Sequence, residues 1–283
     1  MFSVLSKLFT WNKQEAFDEI IKQYEKQQFC TINFLYLATA IMNNLFEELK
    51  QKVPNEKYEI QKLYKKNVLE SDFLLPDGIG LQIFYWILKK YSKLKKKEKI
   101  NIHNEYKNKN RIDNLNWTDF IPSFLENLTH KFWTQKICLI LYGTYKDVIE
   151  KTEKYFSYKW FNVVYYQDGY SEFDRHQFEE KIKEYSDTIN ILLVSRWTPL
   201  QENRVWENLT KIQKHNLIVF TWGWLFDHLT WKQKRACKII RILKLEWLRR
   251  LIINPKNKMQ KEKIKNSFLW FKQLFRYLLL KKD

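Results

Sequence analysis

The chain reads Phe73-Leu74-Leu75-Pro76-Asp77-Gly78-Ile79-Gly80 where a short apolar run gives way to a turn, and residues with helical spacing follow up to Lys90. The apolar triplet predicts a buried strand that Pro76 and Gly78 end before the helix begins. This order places the Asp77 carboxylate at a strand-to-helix turn, where open α/β sheets bind ligands, beside helix amides that attract anions. The alternative interpretation is that Asp77 only caps the helix.

Downstream of this stretch, from residue 137, short apolar runs alternate with helical patterns. Strands are predicted at 137–141, 161–165, 189–194 and 217–220, and helices at 145–156, 173–185 and 202–213. Uninterrupted apolar runs between helices are typical of a parallel sheet with right-handed crossovers. Gly143 and Gly169 fall at strand ends, where ligand-facing loops form.

Upstream, residues 12–28 have the apolar spacing of a helix. Residues 29–35 predict a strand that points Thr31 and Asn33 to the same side. Two more helices are predicted at 36–50 and 56–69, and the charged run 89–111 predicts an exposed loop or helix end. The whole pattern predicts an α/β fold: a Rossmann-like parallel sheet flanked by helices, with a basic helical appendage at the carboxyl end.

The net charge of +18 is concentrated at that end, because residues 232–283 hold 17 Lys and Arg against three acidic residues and so carry +14. We therefore divide the chain into a catalytic domain, 1–231, and a basic appendage, 232–283. Such charge predicts an anionic partner. The appendage also has an apolar stripe, formed by Trp270, Phe271, Leu274, Phe275, Leu278 and Leu279. This composition favours a helix that lies in a membrane interface, the alternative being a terminal helix packed on the core.

The expected location is cytoplasmic, peripheral on the inner face of the cell membrane. No apolar run reaches the roughly 18–20 residues that span a bilayer, and residues 1–11 do not have the features of a signal peptide. Cys30, Cys138 and Cys237 are isolated from one another, which fits a reducing compartment. The five histidines lack metal-ligand spacing, so no metal site is expected.

Eight short stretches follow one another between Thr31 and Pro255 in an order that is informative as a set. They are Thr31-Ile32-Asn33, Pro76-Asp77-Gly78-Ile79-Gly80, Thr118-Asp119, Asp168-Gly169-Tyr170, Thr198-Pro199-Leu200-Gln201-Glu202, Leu225-Phe226-Asp227, Lys234-Arg235-Ala236, and 245–251 with Asn254-Pro255. Together they resemble the elements of the WecG/TagA/CpsF glycosyltransferase family. The chain departs from the family at Asn114, where an arginine is expected and Arg111 is the nearest candidate, and at Cys237, which replaces a proline.

The resemblance implies a UDP-sugar-dependent hexosyltransferase that moves N-acetylmannosamine or a related sugar to undecaprenyl-diphosphate-linked N-acetylglucosamine, in cell-envelope polysaccharide or teichoic acid synthesis. It implies no cofactor and no metal. The implied partners are the UDP-sugar, the polyprenyl-diphosphate-linked sugar and an anionic membrane surface, without nucleic acid; a homo-oligomer is left open. The alternative function is that of a non-catalytic basic protein that binds nucleic acid or membrane.

Site roles follow from the same resemblance. Asp77 is implied to be the catalytic base, since glycosyl transfer to a hydroxyl needs a carboxylate that accepts the proton. The residues implied to bind donor or acceptor are Thr31, Asn33, Asp119, Tyr170, Gln201, Glu202 and Asp227. Those implied to bind the lipid diphosphate are Arg235, Arg249 and Arg250. For each residue taken alone, the alternative is an ordinary turn or capping role.

Glycine and tryptophan occur in unusual numbers, five and twelve, where a chain of this length should have about 20 glycines. Against the family pattern, Trp117, Trp197, Trp224 and Trp231 stand at turns where glycine is expected, with Trp222 as a further candidate. A tryptophan at a tight turn forbids positive φ and fills space that a phosphate needs. We therefore hypothesise that the gene contains UGA codons which its organism translates as glycine, and that the written sequence shows these positions as tryptophan. The alternatives are a decayed enzyme with a blocked pocket, or stacking platforms for single-stranded nucleic acid.

Overall fold

The computed structural model describes residues 2–9, 12–45, 54–95, 112–209, 216–223 and 225–230, together with positions 240, 249, 252, 253 and 265. At their centre lies a six-stranded parallel sheet in the order β2-β1-β6-β5-β3-β4. Its strands are β1 (Phe29–Tyr36), β2 (Phe73–Asp77), β3 (Ile137–Gly143), β4 (Asn162–Gln167), β5 (Ile189–Ser195) and β6 (Leu217–Thr221). The predicted α/β fold with a Rossmann-like parallel sheet is confirmed.

Helices cover both faces of this sheet. They are α1 (Phe2–Ser6), α2 (Lys13–Gln27), α3 (Leu37–Met42), α4 (Asn55–Glu70), α5 (Ile79–Lys95), α6 (Trp117–Phe132), α7 (Lys146–Tyr158), α8 (Arg175–Glu184), α9 (Leu200–Leu209) and α10 (Leu225–Leu229). Every residue of β3, β5 and β6 is buried. Successive side chains of a strand point to opposite faces, so a strand covered on both sides must be apolar throughout.

The two faces of β3 show this division. Leu139 and Leu141 pack in one cluster with Phe120 and Phe124 of α6 and with Val148 of α7. The residue between them, Ile140, packs in a second cluster on the other face, with members from α8 and α9: Phe178, Ile182 and Val205. A third cluster covers the β1–β2 end of the sheet with residues of α1, α3, α4 and α5.

Strand β2 is longer than predicted, because it continues through Pro76 to Asp77. Pro76 lies opposite Leu35 of β1 and does not end the ladder. The reason is that β2 is an edge strand, where a proline can stand with its missing N–H on the side that has no neighbouring strand. Asp77 is therefore the last residue of the strand, as well as the first of the turn.

Helix α6 is the main element that the sequence analysis did not predict. Asn116 caps it by accepting a hydrogen bond from the Asp119 amide, and its apolar residues Phe120, Phe124 and Leu128 fall on one face. Pro122 lies inside the helix on its exposed side. The predicted helix 36–50 is also shorter in the described part of the chain, where β1 runs to Tyr36 and α3 ends at Met42.

The predicted boundary between residues 231 and 232 stays a prediction. Of the appendage, only positions 240, 249, 252, 253 and 265 are described, all helical. The apolar stripe from Trp270 to Leu279 lies outside the described residues. None of the described helices is long and apolar enough to cross a bilayer.

Candidate active site

The carboxyl ends of the strands form one edge, along which the predicted site residues can be placed by register. Asn33 of β1 lies opposite Thr221, the last residue of β6, and Thr221 lies opposite Val194, next to the end of β5. Strands β1 and β2 continue beyond this level, so that Tyr36 pairs with Asp77. Asp77 therefore stands three residues, or about 10 Å, above the level of Asn33 along the strand direction.

The turn that carries Asp77 is fixed by residues far along the chain. The Gly78 amide donates to Asn114 Oδ1 at 2.7 Å, and the Leu115 amide donates to the Pro76 carbonyl oxygen at 2.9 Å. Gln82 Nε2, one turn into α5, donates to the Ile112 carbonyl oxygen at 2.6 Å. The segment 112–115 is thus tied to both sides of Asp77, which is half-buried.

Glycine is favoured directly after Asp77. Gly78 has φ +86°, a conformation that L residues rarely adopt, and a Cβ placed there would lie 3.1 Å from Cε2 of the Tyr36 ring. A side chain at this position would therefore be strained and would displace the Tyr36 ring by a few tenths of an ångström. The turn conformation therefore depends on Gly78 itself and on the hydrogen bond from its amide to Asn114.

Asp119 lies beside this turn in an open pocket of about 340 Å³. The residues that line the pocket are mostly polar: Lys13, Gln82, Asp113, Asn114, Leu115, Asn116, Asp119 and Phe120. Gln82 and Asn114 also form the turn, so the pocket and the Asp77 turn share a wall. Asp119 therefore lies at the same end of the sheet as Asp77.

Asn33 and Thr31 lie on the same strand but in different surroundings. Asn33 is buried, and its Oδ1 accepts a hydrogen bond from the Thr221 hydroxyl. Thr31 lies two residues nearer the amino end of the strand, where its amide and hydroxyl both donate to Asp72 Oδ2 at 2.8 Å. Asn33 is thus at the carboxyl edge, whereas the hydroxyl of Thr31 is engaged next to the start of β2.

The carboxyl ends of β3 and β5 form a topological switch point, because the chain leaves the two strands in opposite directions toward β4 and β6; we call this region the crevice, since open α/β sheets bind ligands at such points. Gly143 ends β3 with φ +125°, and a Cβ there would lie 2.1 Å from the Ser195 carbonyl oxygen. At Gly169 a Cβ would lie 2.9 Å from the Gly143 Cα and 3.1 Å from Arg196 Nε. The floor of the crevice is therefore made of backbone, and only glycine allows the strand ends to approach so closely.

An aromatic and cationic wall rises beside this floor. The rings of Tyr145 and Tyr170 stack with centroids 4.7 Å apart, and the Arg196 guanidinium carbon lies 5.8 Å from the Tyr170 ring centroid. Trp197, the residue after Arg196, is 43% exposed, and Tyr170 is 58% exposed. The hydrogen bond with Tyr145, together with partial burial, raises the pKa of Tyr170. An exposed stack of this kind can bind a planar ring and an anion together.

The Asp168 side chain shapes the loop that presents Tyr170. Its Oδ1 accepts from the amides of Tyr170 at 2.8 Å and Ser171 at 2.9 Å, and its Oδ2 accepts from the Ser171 hydroxyl at 2.7 Å. Partial burial opposes ionisation of this carboxyl, but the hydrogen bonds from Ser171 and Tyr170 outweigh it, so the pKa of Asp168 is lowered. Asp168 is therefore a charged turn residue at neutral pH.

Gln201 and Glu202 lie in the first turn of α9 and are both 3% exposed. Gln201 Nε2 donates to Glu202 Oε1 at 2.9 Å, and the Thr198 hydroxyl donates to the same oxygen at 3.1 Å. Gln201 Oε1 accepts from the Arg196 amide at 3.3 Å. Burial raises the pKa of Glu202 to about 7. In this conformation the two side chains contact protein groups, directly beneath the wall of the crevice.

Asp227 is half-buried in α10, which follows β6 at the same edge of the sheet and packs against α7. Of the three residues predicted to bind the lipid diphosphate, Arg249 is helical and half-buried, whereas Arg235 and Arg250 lie outside the described residues. Within the described part of the chain, no group of three or more His, Cys, Asp and Glu is placed to hold a metal ion.

Five tryptophans are suspected of standing in place of glycine. Trp224 and Trp231 lie outside the described residues, and the other three occupy different surroundings. Trp117 starts α6 and has its ring 5.7 Å from that of His228. Trp197 borders the crevice. Trp222 is buried and packs edge-on against Phe226, with its Nε1 left without a hydrogen-bond partner.

Sequence reasoning missed three residues that help to form the two regions. Asn114 was noted only as a departure from the family pattern, yet it accepts the Gly78 amide. Arg196 and Tyr145 were not selected, although each follows a strand end within two residues. That position was the available signal, since the carboxyl ends of parallel strands converge at one edge.

Comparison with known proteins gives a family match over the larger part of the chain. The model of the "Glycosyl transferase WecG/TagA/CpsF family" matches residues 100–283. Asp119, Tyr170, Gln201 and Asp227 fall inside this range, whereas the Asp77 turn and Asn33 lie before it. No curated protein matches the chain. Because the family match covers well over half of the sequence, the chain belongs to the WecG/TagA/CpsF family and is a glycosyltransferase of cell-envelope polysaccharide synthesis.

Proposed function

We propose that the protein transfers N-acetylmannosamine or a related sugar from a UDP donor to undecaprenyl-diphosphate-linked N-acetylglucosamine, with inversion at the anomeric carbon and with Asp77 as the base. The observation that carries this proposal is the Asp77 turn, a half-buried carboxylate at the carboxyl end of β2 that long-range hydrogen bonds tie in place. Preorganisation of this kind is what proton transfer in a transition state requires.

The edge of the sheet offers an ordered path for the donor. Neighbouring strands lie about 4.8 Å apart, so β2 and β5 are separated by about 14 Å. Asn33 and Thr221 lie between them, on β1 and β6. We place the nucleotide at the Tyr170 wall, the diphosphate near Arg196 and the sugar over Asn33, so that its reacting carbon faces Asp77. Asp119 and Asp227 are proposed to bind acceptor and nucleotide hydroxyls.

In the reaction, the Asp77 carboxylate accepts the proton of the acceptor hydroxyl while that oxygen attacks the anomeric carbon. The bond from this carbon to the UDP oxygen breaks at the same time, and the electron pair leaves with UDP. Arg196, whose guanidinium lies beside the Tyr170 ring, supplies a positive charge for the departing diphosphate. The basic appendage is proposed to rest on the anionic membrane that holds the acceptor, peripheral to the inner face, where each Lys or Arg adds about 1 kcal/mol of attraction.

The test replaces Asp77 by asparagine. We expect Asp77→Asn to lower the transfer rate by roughly 10²- to 10⁴-fold, the range typical of a lost general base, while UDP binds as in the wild type. The matched control is Asp187→Asn, an exposed aspartate that precedes β5 at the opposite edge of the sheet. Turnover retained in Asp77→Asn would refute the base assignment. DNA binding that is salt-sensitive and tighter than UDP binding would instead favour the non-catalytic alternative.

A further inference from the structure

Glu202 is a buried acid with an incomplete set of partners. One carboxyl oxygen accepts two hydrogen bonds, from Gln201 and Thr198, whereas Oε2 is buried without a hydrogen-bond partner. A buried polar atom without a hydrogen-bond partner lowers the stability of the folded protein. The titratable group that faces it from α4 is Tyr64, whose pKa is raised by burial and by Glu202.

The hydrogen bonds of Glu202 continue toward the crevice. Because Glu202 fixes the amide nitrogen of Gln201, the carboxamide oxygen is turned toward the Arg196 backbone, where it accepts the amide proton at 3.3 Å. Arg196 is the residue whose side chain lies over the Tyr170 ring and against Gly169. A chain of three contacts thus connects the buried acid to the wall of the crevice.

We propose that Glu202 is a positioning residue for the donor nucleotide: it holds the Gln201 carboxamide, which holds the Arg196 backbone and so sets the shape of the crevice wall. The expected effect on UDP affinity rests on the proposed function. In this role Gln201 and Glu202 do not contact the donor directly, because both side chains are buried and engaged with protein groups.

The experiment compares Glu202→Ala with Glu202→Gln. The glutamine keeps a carbonyl oxygen that can accept both hydrogen bonds, whereas alanine removes it. We expect hydrogen exchange at the Arg196 amide to become roughly tenfold faster in Glu202→Ala, as the loss of one hydrogen bond predicts, and to stay near the wild-type rate in Glu202→Gln. The dissociation constant of UDP should rise about tenfold in the alanine variant only. Glu207→Ala, which removes an exposed partner of Arg204 on the same helix, should change neither.

Two outcomes separate the failure of this inference from that of the proposed function. Unchanged Arg196 exchange in Glu202→Ala would overturn the positioning role, whatever UDP does. Failure of the wild type to bind UDP would refute the proposed function, while faster exchange in the variant would still support the positioning contact. If Glu202→Ala does not fold, Gln201→Met removes the carboxamide that holds the Arg196 amide and should give the same faster exchange.

A second inference comes from two tryptophans in a backbone conformation that belongs to glycine. Trp133 ends α6 with φ +64° and ψ +143°, and Trp160 follows α7 with φ +66°. Their side chains are 77% and 86% exposed, so no packing compensates for the strain. Bulky L residues rarely adopt positive φ, and glycine is the usual residue just after a helix.

We infer that positions 133 and 160 are glycines in the protein as its own cells make it, with UGA translated as glycine. This inference rests on φ angles and exposure alone, and it concerns two residues that the family pattern did not single out. It also restores to the chain part of the glycine that its composition lacks, since only five glycines are written in 283 residues.

Mass spectrometry of the natively expressed protein decides the matter. Trypsin should release residues 132–136 and 160–175 as separate peptides, and we expect each to have the mass of the glycine form. Tryptophan masses at both positions would overturn the inference. In the recombinant chain with tryptophan, Trp133→Gly and Trp160→Gly should each raise Tm by roughly 2–4 °C through relief of backbone strain. The control Trp86→Gly, at an exposed tryptophan inside α5, should lower Tm.

Discussion

The Asp77 turn and the β3–β5 crevice lie at the same edge of the sheet but are stabilised in different ways. The turn is fixed by hydrogen bonds from a distant segment, of which Asn114 to Gly78 is the central one. The crevice is fixed by the absence of side chains, since Gly143 and Gly169 let three strand ends meet. A carboxylate that must receive a proton needs one orientation, whereas a diphosphate needs space next to backbone. The comparison predicts that the turn tolerates changes that the crevice does not.

The largest effect is expected at Gly143. Gly143→Ala places a Cβ 2.1 Å from the Ser195 carbonyl oxygen at φ +125°, so β3 and β5 must separate. We expect a loss of about 3–5 kcal/mol in the free energy of unfolding and loss of UDP binding. The matched control is Gly80→Ala, because a Cβ there meets Leu37 Cδ2 at an ordinary 3.5 Å inside α5. Equal stability losses at the two glycines would break the contrast.

The next effect is a pH dependence beneath the crevice wall, at Glu202. Burial raises the pKa of this carboxyl from its ordinary 4.5 to about 7 in the folded protein. Between these values the unfolded chain loses the proton and the folded protein keeps it, so stability falls as pH rises from 4.5 to 7 and is unaffected above that range. The cost is on the order of 3 kcal/mol across this window.

Urea unfolding at several pH values checks this expectation. The wild type should lose stability relative to Glu202→Gln as pH rises from 4.5 to 7, because the glutamine cannot ionise. A constant difference between the two proteins over that range would show that Glu202 titrates as an ordinary carboxyl.

The smallest effect is expected at the Asp77 turn. Asn114→Ala removes the acceptor of the Gly78 amide at a position where both residues are accessible to water. We expect a loss of only about 1 kcal/mol in stability, since water can replace the acceptor, but a clear fall in the transfer rate because the carboxylate loses its fixed orientation. Urea unfolding and initial rates at saturating donor measure the two quantities. Unchanged rates would mean that Leu115 and Gln82 suffice to hold the turn.

Much of the architecture could be predicted from the sequence because it depends on local pattern. The apolar runs of β3 and β5 between amphipathic helices are sufficient to indicate a parallel sheet covered on both faces. The end of β2 was predicted too early, at Leu75, because Pro76 was expected to end the strand. Proline has no N–H, and it interrupts a strand only where a neighbouring strand needs that hydrogen bond. Helix α6 was not predicted, although Asn116 caps it and Phe120, Phe124 and Leu128 have helical spacing on one face.

The site could be predicted only in part. Asp77, Asn33 and Tyr170 were selected from motifs: Asp77 ends β2, Tyr170 follows β4, and Asn33 lies within β1 at the level where β6 ends. Motifs could not show that the Thr31 hydroxyl faces Asp72 or that Gln201 and Glu202 turn inward. These contacts join residues that are distant in sequence or depend on how deeply a helix is packed, and neither property is local.

The sequence by itself determined the alternation of strands and helices, the turn after Asp77 and the concentration of positive charge in residues 232–283. These features follow from the periodicity and the conformational limits of neighbouring residues. Only the tertiary structure decided that Asn114 holds Gly78, that Gly143 leaves no room for a Cβ beside Ser195, and that Arg196 lies over Tyr170. The physical reason is that distances between separate strand ends are set by the packing of the whole sheet.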